Sequence, residues 1–286
     1  MRLLSKCLPN IIINPTKYSF DSWGHFQDRA HFDCLKMISN RNWMHVLLLQ
    51  NNDIVLKSTE QLSDLSEMLN YTSIMGMEYG IQGRYKENAN WTPAALKLFK
   101  NEKEVSNEIL HTPLKIRKGL NQVFLSKIFV DSIFDKLNLQ SILDLFDNNL
   151  MYGVDEMLIQ TLFGNSLGLA GQMTSNCMQS DDLTRKTDWN FSGPDGYDKS
   201  CRSKWKRHGI CIIGVEYLNE FAANTNHIIA NKVLENFDFG PIICLRQMIR
   251  DGKTRGIPED ALNSLAQYRE MKLKRNGTYI KESFVC

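Results

Sequence analysis

The chain has 286 residues, 43% of them apolar and 23% charged, with a net charge of +2. This composition fits one large globular domain or two small ones, and it excludes a nucleic-acid coat or a polybasic membrane surface. No run of about 18 apolar residues reads as a transmembrane helix, and the basic start, Met1 to Pro9, is too short in its apolar part for a signal peptide. The chain is therefore cytosolic, or its targeting segment lies outside it.

In chain order, residues 10–13 (Asn-Ile-Ile-Ile) read as a short buried strand ended by Asn14-Pro15. From Phe26 to Ile38 the apolar positions Ala30, Leu35 and Ile38 fall at helical spacing. Residues 43–50 form an apolar run of strand length that stops at the turn-type cluster Asn51-Asn52-Asp53. Open α/β folds bind ligands at such strand ends. Residues 59–69 read as a helix, and 70–113 as an irregular, polar excursion over the surface. A strand over 122–126 is followed by helices at 127–137, 139–147 and 154–163. Residues 174–203, rich in Gly, Pro, Asp and Ser, read as a long loop. A buried strand at 209–214 precedes helices at 216–223 and 259–271. Strands alternating with helices predict an α/β fold.

Seven cysteines, Cys7, Cys34, Cys177, Cys201, Cys211, Cys244 and Cys286, are an odd number, so an oxidising compartment leaves at least one unpaired within the chain. Buried cytosolic thiols are the alternative. Four Asn-x-Ser/Thr sequons occur, at Asn70, Asn90, Asn190 and Asn276.

Four constellations could carry chemistry. Gly164-Asn165-Ser166-Leu167-Gly168 matches the nucleophile elbow of serine hydrolases, but that elbow follows a strand, and residues 155–163 read as a helix. Cys201 and Cys211 flank His208 without the close Cys-x-x-Cys pairs of a zinc site. A local disulfide fits them better in an oxidising compartment. Asp155-Glu156 open an apolar helix, where carboxylates favour the positive end of the helix dipole. The pair could instead supply a general base for an acceptor hydroxyl. Arg202, Lys204, Lys206, Arg207 and His208, with Lys232, read either as a solvated face or as a clamp on a leaving diphosphate.

Together these pieces resemble the core-2/I-branching β-1,6-N-acetylglucosaminyltransferases, glycosyltransferase family 14, which includes the peptide O-xylosyltransferases. The matching blocks follow one another in the family's order across residues 7–245. They are Trp23-Gly24 with Ala30 and Cys34, Trp43 to Val46 with Asn52 to Ser58, Lys118-Gly119 with Phe124 to Val130, and Gly153-Val154-Asp155-Glu156 with Thr161-Leu162. Trp189-Asn190-Phe191 before Cys201, Arg207 to Gly214, and Ala230-Asn231-Lys232 complete them. The departures are Gly153-Val154 for Ser-Pro, Asn51 and Val55 in the Gly-x-Asp-Phe-Pro turn, and Gly214-Val215-Glu216-Tyr217 for Gly-x-Gly-Asp.

The resemblance implies an α/β fold of the GT-A-like glycosyltransferase kind, a mixed sheet flanked by helices. It also implies a nucleotide-sugar donor, UDP-GlcNAc or in a close variant UDP-xylose, and inversion at the anomeric carbon without a metal or other cofactor. No Asp-x-Asp metal motif occurs. The acceptor is a galactose or N-acetylgalactosamine hydroxyl of a glycan or glycoprotein. By resemblance Glu156 is the catalytic base, and Lys232 with Arg207 or His208 holds the donor diphosphate. Trp189, Phe191 and Glu78 contact the acceptor. Strict spacing from Cys211 favours His208 for the family arginine role, whereas permanent charge and a two-pronged grip favour Arg207.

The match begins only at Cys7. The expectation is accordingly a single catalytic domain over 1–286, incomplete at its N-terminus, with the first nucleotide-binding strands missing. Family cysteines matching Cys7, Cys34 and Cys244 pair upstream, which leaves Cys201–Cys211 as the pair that forms locally. The implied location is the lumenal side of the Golgi membrane in type II topology, through an N-terminal anchor this chain does not contain, and no nucleic-acid partner is expected. The alternative is a non-catalytic relative that binds glycans or partners and has lost the donor site.

Overall fold

A computed structural model describes residues 6–148, 151–178, 183–223 and 225–286, with backbone alone for 221–223. Helix α1 (Gln27–Ile38) buries Phe32 and Leu35 and is fixed from its polar face by Arg29. That guanidinium bonds Asp144 at 2.6 Å and Asp147 at 2.5 Å on a later helix. Strand β1 (His45–Leu47) pairs antiparallel with β5 (Phe124–Ser126). Helix α2 (Thr59–Leu69) starts in a reciprocal capping box, Ser58 with Gln61, which satisfies orphan backbone donors at its first turn. In α4 (Lys127–Lys136) the hydroxyl of Ser126 caps Phe129 N.

Helices α1 and α4, with α5 (Gln140–Asp147) and α6 (Leu158–Gly164), close the largest core. It is built on Leu125, Phe129, Ile133, Ile142, Phe146, Leu158, Leu162 and Phe163. The Phe129 and Phe163 rings meet edge to face at 5.2 Å, a geometry that adds about 0.5–1.5 kcal/mol beyond area burial.

Another sheet is three-stranded and mixed. Strand β10 (Ile229–Asn231) lies between β2 (Asp53–Val55), which is antiparallel to it, and β6 (Arg185–Thr187), which is parallel. Because β6 and β10 are parallel, their carboxyl ends, Thr187 and Asn231-Lys232, open at one edge. Antiparallel β2 brings its first residue, Asp53, to the same edge, opposite Asn231. A second core, with Leu65, Leu69, Ile228, Ile229, Leu262 and Tyr268, covers this sheet. A small antiparallel sheet of β7 (Gly196–Tyr197), β8 (Trp205–Arg207) and β9 (Ile210–Cys211) projects beyond it, and β3 (Glu78–Tyr79) pairs with β4 (Arg117–Lys118).

Several sequence expectations are corrected here. Residues 10–13 form no strand: they are half-exposed and find no pairing partner among the described residues. Residues 70–113 are not a surface excursion, since Ile74, Met75, Met77, Trp91, Leu96, Leu98 and Phe99 are buried. The segment also holds β3 and a short helix, α3 (Asn107–His111). The loop expected over 174–203 contains β6 and β7, and its residues 179–182 lie outside the described residues. Helix α7 (Leu218–Ala223) follows a 3-10 turn. Helix α8 (Gly240–Arg250) was not anticipated. The single helix expected at 259–271 is two, α9 (Glu259–Asn263) and α10 (Ala266–Arg275), broken at Ser264-Leu265.

Cys201 pairs with Cys211, as expected. A second disulfide, Cys177–Cys286, also forms, so the expectation of one local pair was wrong; its 109-residue separation leaves no mark in the sequence. Cys7, Cys34 and Cys244 are exposed thiols. Ser166 follows helix α6 rather than a strand, is exposed, and lies away from the cleft described next, so the nucleophile elbow has no structural basis.

Candidate functional site

A cleft of about 1270 Å³ opens along the edge where β2, β6 and β10 converge. Glu78, Glu156, Trp189, Phe191, Arg207, His208 and Lys232 all line it. These are seven residues drawn from five separated stretches of sequence.

Glu156 reaches the cleft through a tight turn. Gly153, at φ +72°, opens the 3-10 turn Val154–Glu156, a left-handed geometry that costs a residue with a Cβ roughly 1–2 kcal/mol. Gly153 N donates to Trp23 O at 2.7 Å, and Gly119 N donates to Glu156 O at 2.8 Å, so the turn is tied on both sides. Arg84 Nη1 donates to Glu156 Oε2 at 2.9 Å, and Lys118 Nζ stands 3.7 Å from the same oxygen. No hydrogen bond from a described residue reaches Oε1. Glu78 lies beside this group, because β3–β4 pairing sets it opposite Lys118.

Asp155, the other half of the acidic pair, is buried. It accepts from Gln50 Nε2 at 3.0 Å and from Asn121 Nδ2. Burial, reinforced by the neighbouring Glu156 carboxylate, pushes its pKa up to about 6. Asp28, also buried, is held well above the usual carboxylate range by desolvation and by the charges of Asp155 and Asp147. From Asp155 a line of side-chain amides runs under the cleft. Gln50 receives Gln122 Nε2 at 3.0 Å, and Arg185 Nη1 donates to Gln122 Oε1 at 2.9 Å.

A second group of cleft residues is cationic. Strand β8 alternates: Lys206 is buried and bonded to Asp198 at 3.0 Å, while Arg207 points into the cleft. His208, at φ +53° in the hairpin turn, is fixed by backbone donation to Asp195 at 2.7 Å. Burial first, then the positive charges of Lys232 and Arg207, holds the His208 imidazole below its ordinary pKa. Burial first, then Arg207 and Arg185, likewise lowers the Lys232 ammonium. These cations therefore stand close enough to repel one another. The remainder of the basic run is engaged elsewhere: Arg202 bonds Glu220 at 2.8 Å, and Lys204 donates to Lys199 O at 3.1 Å.

The cleft lining also carries an aromatic step. Trp189 and Phe191 stack at 5.1 Å with 18° between planes, and Arg185 lies over the Trp189 ring at 5.6 Å. Phe191 is 76% exposed. Gly209, at φ +68°, permits this, because a Cβ there would come 2.8 Å from Phe191 Cδ1.

Sequence reasoning missed Arg84, Lys118 and Arg185 as cleft residues, and named Asp155 only as half of the acidic pair. Arg84 and Arg185 lie in segments without periodicity. Lys118 was visible in the Lys-Gly pair, and Asp155 beside Glu156. Cys201 and Cys211 sit behind β8 in their disulfide, so no zinc site forms with His208. Among the described residues there is no group of three or more His, Cys, Asp or Glu arranged for a metal ion, and no helix long and apolar enough to cross a membrane.

A family model described as Core-2/I-Branching enzyme matches residues 1–222 of the 286. Comparison with curated proteins finds no match.

Proposed function

The chain belongs to the core-2/I-branching enzyme family of glycosyltransferases, with a mixed α/β architecture of the GT-A-like kind, and on that premise we propose that it transfers N-acetylglucosamine from UDP-GlcNAc to a galactose or N-acetylgalactosamine hydroxyl of an O-glycan, with inversion. The observation that carries this reading is the gathering in one cleft of Glu156 with Arg207 and Lys232.

In this mechanism the acceptor hydroxyl sits against Glu156 Oε1 and stacks a sugar face on Trp189 and Phe191, with Glu78 accepting from a second hydroxyl. Arg84 and Lys118 hold Oε2, so the carboxylate presents its other oxygen in a fixed direction. Glu156 takes the hydroxyl proton as the acceptor oxygen attacks the anomeric carbon. The bond from that carbon to the β-phosphate oxygen breaks on the far side, which inverts the centre. Negative charge grows on the leaving diphosphate, and Arg207 and Lys232 meet it. A hydrogen bond to a charged group contributes about 1.5–3 kcal/mol, and a positioned base about a hundred- to ten-thousand-fold in rate. Protein cations thus perform the neutralisation that many transferases assign to a metal.

Arg207 takes the family arginine role in this account, because it is permanently charged while His208 is driven towards the neutral form. Two disulfides support a lumenal, oxidising location such as the Golgi, since such bonds persist outside the reducing cytosol. The test is sugar transfer from a panel of UDP-sugars, including UDP-GlcNAc and UDP-xylose, to simple O-glycan acceptors, with and without a chelator. Chelator-resistant transfer from UDP-GlcNAc is expected. Preference for UDP-xylose, or glycan binding without turnover, would replace this reading by a xylosyl-transferring or non-catalytic one.

A further inference from the structure

The four sequons differ sharply in their surroundings. Asn190 is consumed by the fold. Its Nδ2 donates to Asp198 Oδ2 at 2.8 Å and to Ser200 Oγ at 2.5 Å, and its Oδ1 accepts from Ser192 N and Oγ at 3.1 and 2.6 Å. Both amide hydrogens are therefore used within residues 190–200, immediately before Cys201, and Asn190 stands in sequence between the two aromatic residues of the step. An oligosaccharide there would replace one of those hydrogens and break one of these bonds. At Asn70 the hydroxyl residue of the sequon, Thr72, is buried. At Asn90 the middle residue, Trp91, is buried, and the Thr92 hydroxyl donates back to Asn90 Oδ1 at 2.8 Å.

Asn276-Gly277-Thr278 stands apart: all three residues are exposed. Asn276 caps the end of α10, and the turn behind it is set by Gly277, at φ +69°. Asn276 N donates to Lys272 O at 3.1 Å, Gly277 N to Lys274 O at 3.1 Å and Thr278 N to Leu273 O at 2.9 Å. This is a glycine-terminated helix end, a fixed local turn needing little of the tertiary fold. No described residue bonds the Asn276 side-chain amide, which projects from a surface outside both the cleft and the family-matched residues 1–222.

We propose that Asn276 carries an N-linked oligosaccharide in this protein, and that Asn190 is left bare; the proposal rests on the lumenal reading above. The donor is a lipid-diphosphate-linked oligosaccharide of the endoplasmic reticulum. The bond from its first sugar carbon to the diphosphate oxygen breaks, a bond from that carbon to Asn276 Nδ2 forms, the amide proton is lost, and the lipid diphosphate departs. Attachment accompanies chain entry, before folding is complete. A chain modified at Asn190 could not close the bonds to Asp198 and Ser200, whereas one modified at Asn276 folds unimpeded.

The experiment is glycopeptide mass spectrometry on the full chain, directed into the secretory pathway by an added signal peptide. It is run with and without peptide-N-glycosidase, beside Asn276→Gln and Asn190→Gln. The expected result is oligosaccharide on the Asn276 peptide, converted to aspartate on enzymatic release, absent in Asn276→Gln and unaltered in Asn190→Gln. A bare Asn276, or oligosaccharide on Asn190 in the folded secreted chain, overturns the proposal. Because the added signal supplies the compartment, this result judges the site and not the location. Glycosidase resistance of the protein in its own cells, alongside modified Asn276 in the secreted chain, would overturn the lumenal reading and the natural occupancy with it.

Discussion

Arg84 holds Glu156 from within the cleft, its Nη1 2.9 Å from Oε2, and the two meet directly over Gly153. A Cβ on Gly153 would come 2.9 Å from Arg84 Nη1 and 3.1 Å from Glu156 Oε2, on a backbone already at φ +72°. Gly153→Ala should therefore lower transfer about tenfold or more, since small misplacements of a reacting group carry such costs. Strain in the left-handed turn should lower stability by about 1–2 kcal/mol. Arg84→Ala should lower kcat with little change in donor KM, and with less than about 1 kcal/mol of stability lost, as for other partly exposed ion pairs. Steady-state kinetics beside thermal melts separate the two effects.

Donor binding should divide unequally between Arg207 and His208. Arg207→Ala is expected to lower kcat/KM for the UDP-sugar about ten- to a hundredfold, the equivalent of one charge-assisted contact of roughly 1.5–3 kcal/mol. His208→Asn should change it only a few-fold at neutral pH, where burial and its cationic neighbours keep the ring uncharged. Equal losses in the two variants would reassign the diphosphate contact to His208.

Asp155 makes stability depend on pH in a known direction. Its folded pKa, about 6, lies above the ordinary 3.8, so the folded state holds the proton more tightly than the unfolded chain. The stability linked to that proton is fully present below about pH 4 and is lost as pH rises through 6. The shift of about two units corresponds to roughly 3 kcal/mol. Melting curves should show Asp155→Asn gaining on the parent between about pH 4 and pH 6, because its amide oxygen still accepts from Gln50 and Asn121 without the buried charge. Parallel pH profiles would contradict this.

The two disulfides should fail differently. Cys201–Cys211 closes a short loop immediately around β8, which carries Arg207. Replacing both cysteines by alanine should cost about 2–3 kcal/mol and raise donor KM as Arg207 loses its support. Removing Cys177–Cys286 should lower the melting temperature and hasten proteolysis of the C-terminus while leaving KM unchanged. Reductant titration followed by limited proteolysis and kinetics distinguishes the two.

What was legible in the sequence was whatever had periodicity or a local cap. Residues 59–69 read as a helix at its observed bounds, and in the structure the Ser58–Gln61 capping box fixes its start. Gln27–Ile38 is legible from its apolar spacing. The strand Arg185–Thr187 was not legible: three residues of basic and hydroxyl character carry no alternation, and the segment is a strand because Ile229–Asn231 offers it a parallel partner. Arg84 was hidden for a related reason, since the stretch around it is irregular in pattern yet pinned by the buried Met77 and Trp91. The cleft walls themselves were readable as an acidic pair, an aromatic pair and a basic run. Their convergence was not, because it depends on strand register at a single sheet edge.

Transfer of labelled sugar from UDP-GlcNAc to an O-glycan acceptor, by the chain and by Glu156→Gln side by side, tests the central claim most directly. The account predicts transfer by the parent and a loss of about a hundred- to ten-thousand-fold in the variant, with UDP affinity retained because Arg207 and Lys232 are untouched. Turnover that survives the loss of the Glu156 carboxylate, or a folded parent chain that binds UDP and acceptor without transferring sugar, would contradict it.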